Sequence, residues 1–191
     1  MAEACLNRMA ELKIKAAARF AAVGVDVILF GDDAGTERGM MIAPETWREW
    51  LKRRLAKAIR AAKEANPDVL VYYHSDGDIR LIIDELIECG IDILNPIQPE
   101  CMDPAEIYSR YKDRISFWGC IGTQTTMPFG TPDDVRNKVR QLLDLCRENG
   151  RLVLAPTHLL EPEVPLENID AFVSEVKSFR NPVPIRNFPS V

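Results

Sequence analysis

Five short apolar runs rich in β-branched residues, roughly 25–31, 69–74, 91–95, 115–119 and 152–156, alternate along this chain with longer stretches of helical period. That alternation restricts the fold to βα units around a parallel sheet, because parallel neighbours need a crossover and a helix is the usual crossover that packs back onto the sheet. The helix signals are local and specific. Pro44 opens Glu45-Thr46-Trp47-Arg48 and a long basic helix, while Asp103-Pro104 and Thr131-Pro132 each place a capping residue before a first-turn proline. Thr131 with Asp134 matches a capping box. Leu81, Ile82, Leu86 and Ile87 recur at helical spacing, as do Val135, Val139, Leu142, Leu143 and Cys146, so each stretch presents one apolar face. An opening helix over roughly 3–22 and a closing one over roughly 167–179 complete the scheme, with Gly90 and Gly150 expected to stop helical winding. The expected domain runs over 1–180, and the proline-punctuated stretch 181–191 reads as an irregular tail.

Parallel strands wound with one hand put all their C-terminal ends on one rim, so residues distant in sequence converge there. Just past the five runs stand Asp32-Asp33, His74-Ser75-Asp76, Asn95-Pro96 with Gln98, Gly119-Cys120-Ile121-Gly122-Thr123-Gln124, and Thr157-His158. The chain has two histidines, and both fall at these strand ends. His74 reads as a general acid or base, a metal ligand, or a partner for a backbone carbonyl. Asp76 reads either as a site carboxylate or as the N-cap of a helix starting near Asp78. Asp32 and Asp33 suit a cation, and equally suit the turn before Gly35. The candidate catalytic residues are therefore His74, Asp76 and His158, and the candidate substrate-binding residues are Asp32, Asp33, Asn95, Gln98, Cys120 and Gln124.

Composition narrows the ligand. A formal charge of −5, with Lys and Arg spread along the helices, argues against nucleic acid and anionic membranes and leaves a small molecule as the expected partner. No stretch has the apolar length of a membrane span, and Met1-Ala2-Glu3-Ala4-Cys5 lacks the basic start of a signal peptide, so a cytoplasmic protein is expected. Cys5, Cys89, Cys101, Cys120 and Cys146 form an odd set without a CxxC pair, as reduced thiols would. Cys120 stands out because its glycine-flanked segment reads as a turn after a strand. Neither GxGxxG nor GxxxxGK[ST] follows any run, which leaves nucleotide cofactors without support.

Taken in order, Gly31-Asp32-Asp33, Ile42-Ala43-Pro44-Glu45, His74-Ser75-Asp76-Gly77, Ile93-Leu94-Asn95-Pro96-Ile97-Gln98-Pro99, Trp118-Gly119-Cys120-Ile121-Gly122 and Ala155-Pro156-Thr157-His158 resemble the uroporphyrinogen decarboxylase superfamily from about residue 20 to about 179. That superfamily also holds cobalamin-dependent methyltransferases, and the His-Ser-Asp-Gly and Asn-Pro-Ile-Gln-Pro stretches look closer to that branch. The resemblance implies a TIM (β/α)8 barrel of which this chain supplies the last five βα units. Such barrels take about 250 residues, so a fragment, or self-association through the open barrel edge, is expected. In the methyltransferases the resemblance implies a His-x-Cys zinc site with a distant cysteine. Here aspartate replaces that cysteine and the last run ends in Thr157-His158, so zinc is not expected. His74, Asp76 and His158 remain as a mixed donor set for a harder divalent cation. In the decarboxylases the resemblance matches His158 to a last-strand histidine and Asp76-Gly77 to an Asp-Gly pair, with the arginine-rich segment lying outside this chain. The implied activity is methyl transfer involving a corrinoid and a thiol or folate acceptor. A corrinoid protein is the implied partner, the corrinoid a substrate, and no cofactor is tightly bound. Tetrapyrrole decarboxylation by a longer parent, or a non-catalytic tetrapyrrole-binding remnant, are the alternatives.

Overall fold

The computed structural model describes residues 1–179, and the tail expected over 181–191 lies outside them. Five strands, β1 (Val27–Gly31), β4 (Leu70–His74), β5 (Ile93–Asn95), β6 (Ser116–Ile121) and β7 (Leu152–Pro156), form one parallel sheet in sequence order. A two-residue-by-two-residue antiparallel hairpin, β2 (Gly35–Thr36) with β3 (Gly39–Met40), follows β1. The sheet is therefore α/β and parallel as expected, with β1 and β7 at its edges and no pairing between them among the described residues.

The helices follow the local signals. Helix α1 (Ala2–Ala22) packs on α3 (Arg53–Ala65), and α3 is preceded by α2 (Pro44–Trp47) and a π-helical stretch over Arg48–Lys52. These three make the long basic run read from Pro44. Asp103 caps α5 (Pro104–Tyr111) by accepting from the Ala105 amide, and Thr131 and Asp134 close a reciprocal capping box on α7 (Pro132–Leu145). Helix α4 (Ile83–Cys89) ends on Gly90 in the left-handed region, α6 (Thr126–Phe129) is a single short turn, and α8 (Leu166–Ser178) closes the described chain. No described helix is long and apolar enough to cross a membrane.

Strand alternation divides the sheet into two faces. The row Phe30, Tyr73, Leu94, Phe117, Leu152 lies in cross-strand register, and its first four members are buried in the helix-covered core. On the opposite face Val27, Leu29, Leu70, Trp118 and Val153 are exposed. One residue further along, Gly31, His74 and Asn95 stand in register on that second face at the C-terminal rim.

Two local expectations are corrected. The segment Gly119-Cys120-Ile121, read as a turn, is the end of β6, where φ is +123° at Gly119 and +79° at Cys120. The two left-handed residues break the face alternation, and Cys120 belongs to the hydrophobic core. Asp76 does not cap a helix from Asp78. Winding begins with a 3-10 turn over Arg80–Ile82, and it is Asp78 that accepts from the Arg80 amide at 3.1 Å and from its guanidinium at 2.7 and 3.0 Å.

Candidate functional site

The rim carries a cleft of about 560 Å³, floored by Gly77, Gln98, Thr123 and Thr157 and flanked by Glu37 of the hairpin, Asp76, Gln124, Phe129, His158, Glu161 and Glu163. His74 stands beside it, half-buried at the end of β4. Its Nε2 lies 3.7 Å from Asp33 Oδ1 and 3.8 Å from Asp76 Oδ2. The ring centroids of His74 and His158 are 6.3 Å apart, and donor atoms of His74, Asp76 and His158 all lie within 4.8 Å of one another. The three candidate catalytic residues, separated by up to 84 positions in sequence, are thus brought together by β4 and β7.

Behind His74 lies Asn95, 4 % exposed. Its Nδ2 donates to the Trp118 carbonyl at 2.8 Å, and its Oδ1 is 2.6 Å from His74 Nδ1. The sheet explains the contact: His74 pairs with Asn95 across β4 and β5, and Asn95 is one step beyond the Leu94–Phe117 pair, which brings it level with Trp118.

The remaining candidates divide. Asp33 joins the cluster and accepts from the Asp76 amide at 3.1 Å. Asp32 turns the other way, toward Lys13 Nζ at 3.2 Å, and stands apart from the cleft. Gln98 and Gln124 belong to a relay of amides: Gly77 N–H donates to Gln98 at 3.0 Å, Gln98 Nε2 to Gln124 at 2.7 Å, and Gln124 Nε2 to Glu37 at 2.7 Å. Asn95 supports the histidine and does not line the cleft. Cys120 is 3 % exposed, and burial pushes its thiol up to about 12, which removes it as a thiolate ligand or nucleophile near neutral pH. Burial likewise pushes Cys101 up to about 11, and all five cysteines are free thiols.

Sequence reading missed Glu37, Glu161, Glu163 and Phe129. Each lies in a loop or short turn with no periodicity, and only the fold shows that it faces the cleft. Thr157 was visible as a strand-end residue. Buried beside His158, its hydroxyl lies 3.1 Å from that of Thr123 and ties the loop after β6 to β7.

Known proteins resemble this arrangement in sequence. The chain is 28 % identical over 172 residues to a methylcobamide:CoM methyltransferase MtaA of Methanosarcina barkeri, covering 90 % of this chain and 47 % of that protein. It is 28 % identical over 170 residues to a methylated-thiol–coenzyme M methyltransferase of Methanosarcina mazei, covering 86 % and 40 %. The chain therefore spans about half the length of the curated relatives it matches. Among solved structures, a dihydropteroate synthase from Anaplasma phagocytophilum aligns with TM-score 0.49 and 21 % identity over 77 % of this chain and 61 % of that one. The family profile of uroporphyrinogen decarboxylase (URO-D) matches residues 1–179, so the family likeness takes in α1 as well as the motifs from residue 20 onward. On that match the chain belongs to the uroporphyrinogen decarboxylase family, with its curated relatives in the methyltransferase-like branch.

Proposed function

We propose that this chain carries a metal-assisted methyl-transfer site, in which a methyl group passes from a methylated corrinoid to a thiol. The observation that carries the reading is the convergence of His74, Asp76 and His158 within 4.8 Å at the cleft. Donor atoms that close can share one cation. Two imidazoles and a carboxylate suit a divalent cation with nitrogen and oxygen preference, so the thiolate type of zinc site stays outside the proposal. Such a cation, when bound, supplies Lewis acidity that lowers the pKa of a bound thiol.

The chain's own residues do the rest. His74, Asp76 and His158 hold the cation, Asp33 accepts the Asp76 amide and fixes that loop, and the Gln98–Gln124–Glu37 relay braces the hairpin over the cleft. The reaction balances as attack of the thiolate sulfur on the methyl carbon. A C–S bond forms, the cobalt–carbon bond breaks with its electron pair left on cobalt, and the thiol proton goes to solvent or to a rim carboxylate. A corrinoid-carrying protein is the proposed methyl donor. Tetrapyrrole decarboxylation is the weaker reading, because among the described residues the cleft lining carries Glu37, Asp76, Glu161 and Glu163 and neither Lys nor Arg to meet a polycarboxylate.

The test is anaerobic incubation of the chain with Co(II), methylcob(III)alamin and 2-mercaptoethanol, following loss of the methylcobalamin absorption. Acceleration over the thiol alone that disappears in His158→Ala supports the proposal. A rate equal to that of the thiol alone overturns it.

A further inference from the structure

Asn95 was expected to touch substrate. Its burial and partners give it a different task, which we infer to be setting the tautomer of His74, so that Nε2 presents a bare lone pair to Asp76 and His158. Asn95 is thus a positioning residue for the site proposed above, and the inference rests on that site.

The Trp118 carbonyl can accept and cannot donate, so the atom of the Asn95 amide that lies 2.8 Å from it must be the NH₂ group. That fixes the orientation of the amide, which would otherwise be ambiguous. The oxygen is left facing His74 Nδ1 at 2.6 Å, and an amide oxygen has no proton to give. The hydrogen of this contact must therefore sit on Nδ1. A neutral imidazole carries one N–H, so Nε2 is the acceptor, and Nε2 is the atom that faces Asp33 and Asp76.

The frame around the amide is closely packed. Asn95 is 4 % exposed, with Pro96 next to it and Gly119 of β6 against it. A Cβ at Gly119 would stand 3.2 Å from Pro96 Cβ and 3.4 Å from Asn95 Nδ2. Trp118, whose carbonyl anchors the amide, is itself held by an edge-to-face contact with Tyr72 at 5.5 Å between ring centroids. The chain of support therefore runs from the β6 backbone through Asn95 to the imidazole. Second partners of this kind orient ligating histidines, and their loss weakens metal affinity by about 10- to 100-fold.

Two variants separate this role from plain scaffolding. Asn95→Asp keeps an acceptor toward Nδ1 and loses the donor to Trp118, whereas Asn95→Leu, of similar size, loses both. With two histidines in the chain, ¹⁵N-histidine labelling gives a spectrum in which His158→Ala assigns His74 by elimination. Read at a pH where the ring is neutral, His74 is expected to be protonated on Nδ1 and bare on Nε2 in the wild type and in Asn95→Asp. In Asn95→Leu the ring should revert toward the Nε2–H form that free imidazole side chains prefer in water. Co(II) affinity should fall about 10- to 100-fold in Asn95→Leu and much less in Asn95→Asp. Near-ultraviolet circular dichroism of the tryptophans reports whether each variant keeps its packing. A wild-type His74 bearing its proton on Nε2 overturns the inference, as does an equal loss of Co(II) affinity in the two folded variants. The tautomer is read without metal or substrate, so a chain that fails to transfer methyl groups but shows Nδ1–H refutes the proposed reaction and leaves this inference standing.

Discussion

Gly77 is the backbone position on which the cleft depends, and Gly77→Ala measures how much. Its φ is +79°, and an added Cβ would stand 2.5 Å from Gly35 C, 2.6 Å from Thr36 N and 2.7 Å from Thr36 O. All three are main-chain atoms of the hairpin strand β2, so no flexible side chain can swing aside. Left-handed strain in an alanine costs about 1–2 kcal/mol, and forcing an extra carbon into packed surroundings costs about 1–3 kcal/mol. Together these give about 2–5 kcal/mol. Gly150 is the matched control: φ is +65° there, and nothing lies within 4 Å of an added Cβ. Gly150→Ala should therefore show the strain alone, about 1–2 kcal/mol. In a chain of this length each kcal/mol moves Tm by about 2–4 °C. Thermal melts should separate the two variants clearly, with Gly77→Ala melting well below Gly150→Ala.

The same substitution has a local signature. The Asp78 amide donates to Thr36 O at 2.8 Å and the Gly77 amide to Gln98 at 3.0 Å, so a displaced hairpin exposes both amides. Amide exchange at residues 77 and 78 should quicken in Gly77→Ala even if the sheet stays folded. If Gly77→Ala melts no lower than Gly150→Ala and protects those amides as the wild type does, the close approach of the two backbones is not what holds the hairpin.

Further expectations concern single side chains. His158 is exposed, so His158→Ala should leave stability within about 0.5 kcal/mol in urea titration while abolishing Co(II) binding. Asp76 caps no helix, so Asp76→Ala should also be close to neutral for folding, and a loss near 1 kcal/mol would restore the capping role. Asn168, 1 % exposed, donates to Met127 O and Gly130 O at 2.8 Å each, and Asn168→Ala should cost about 1–3 kcal/mol, chiefly by depriving the buried Met127 carbonyl of this donor. The Arg114 guanidinium, with Tyr111 and Arg110, holds Asp84 below the usual carboxylate range. A carboxylate depressed in the folded state stabilises above its unfolded pKa, and that contribution is lost as pH falls through the folded value. Asp84→Asn should therefore flatten the acid limb of the stability profile below about pH 4 and leave the neutral-to-basic part of the profile without added slope.

What could be read from sequence was what local chemistry decides. The capping box at Thr131–Asp134, the cap at Asp103 and the left-handed stop at Gly90 depend on neighbours within a turn, and all three stand as read. The five strands were legible because β-branched runs bounded by helix signals have few alternatives. Their ends were not: β6 runs on to Ile121 because its backbone tolerates two left-handed residues, which its glycine-rich sequence resembled a turn by containing. The rim rule gathered His74, Asp76 and His158 correctly, since it needs only strand direction. It could not say which way a side chain turns, and so grouped Asp32 with Asp33, although Lys13 on α1 draws Asp32 away. Glu37 was illegible for another reason, because its partner Gln124 lies 87 residues further on and the two-residue hairpin that presents it has no period to detect.

The division of labour within the site follows from the sheet. His74 and Asn95 stand in register at the ends of β4 and β5, while Asp76 and His158 follow the ends of β4 and β7 in segments held by the Asp76 amide–Asp33 and Thr123–Thr157 hydrogen bonds. Those contacts are made wholly among the described residues. The exposed face bearing Val27, Leu29, Leu70, Trp118 and Val153 borders the same rim, and the chain spans about half the length of its curated relatives. Donor alignment is thus a property of these 179 described residues.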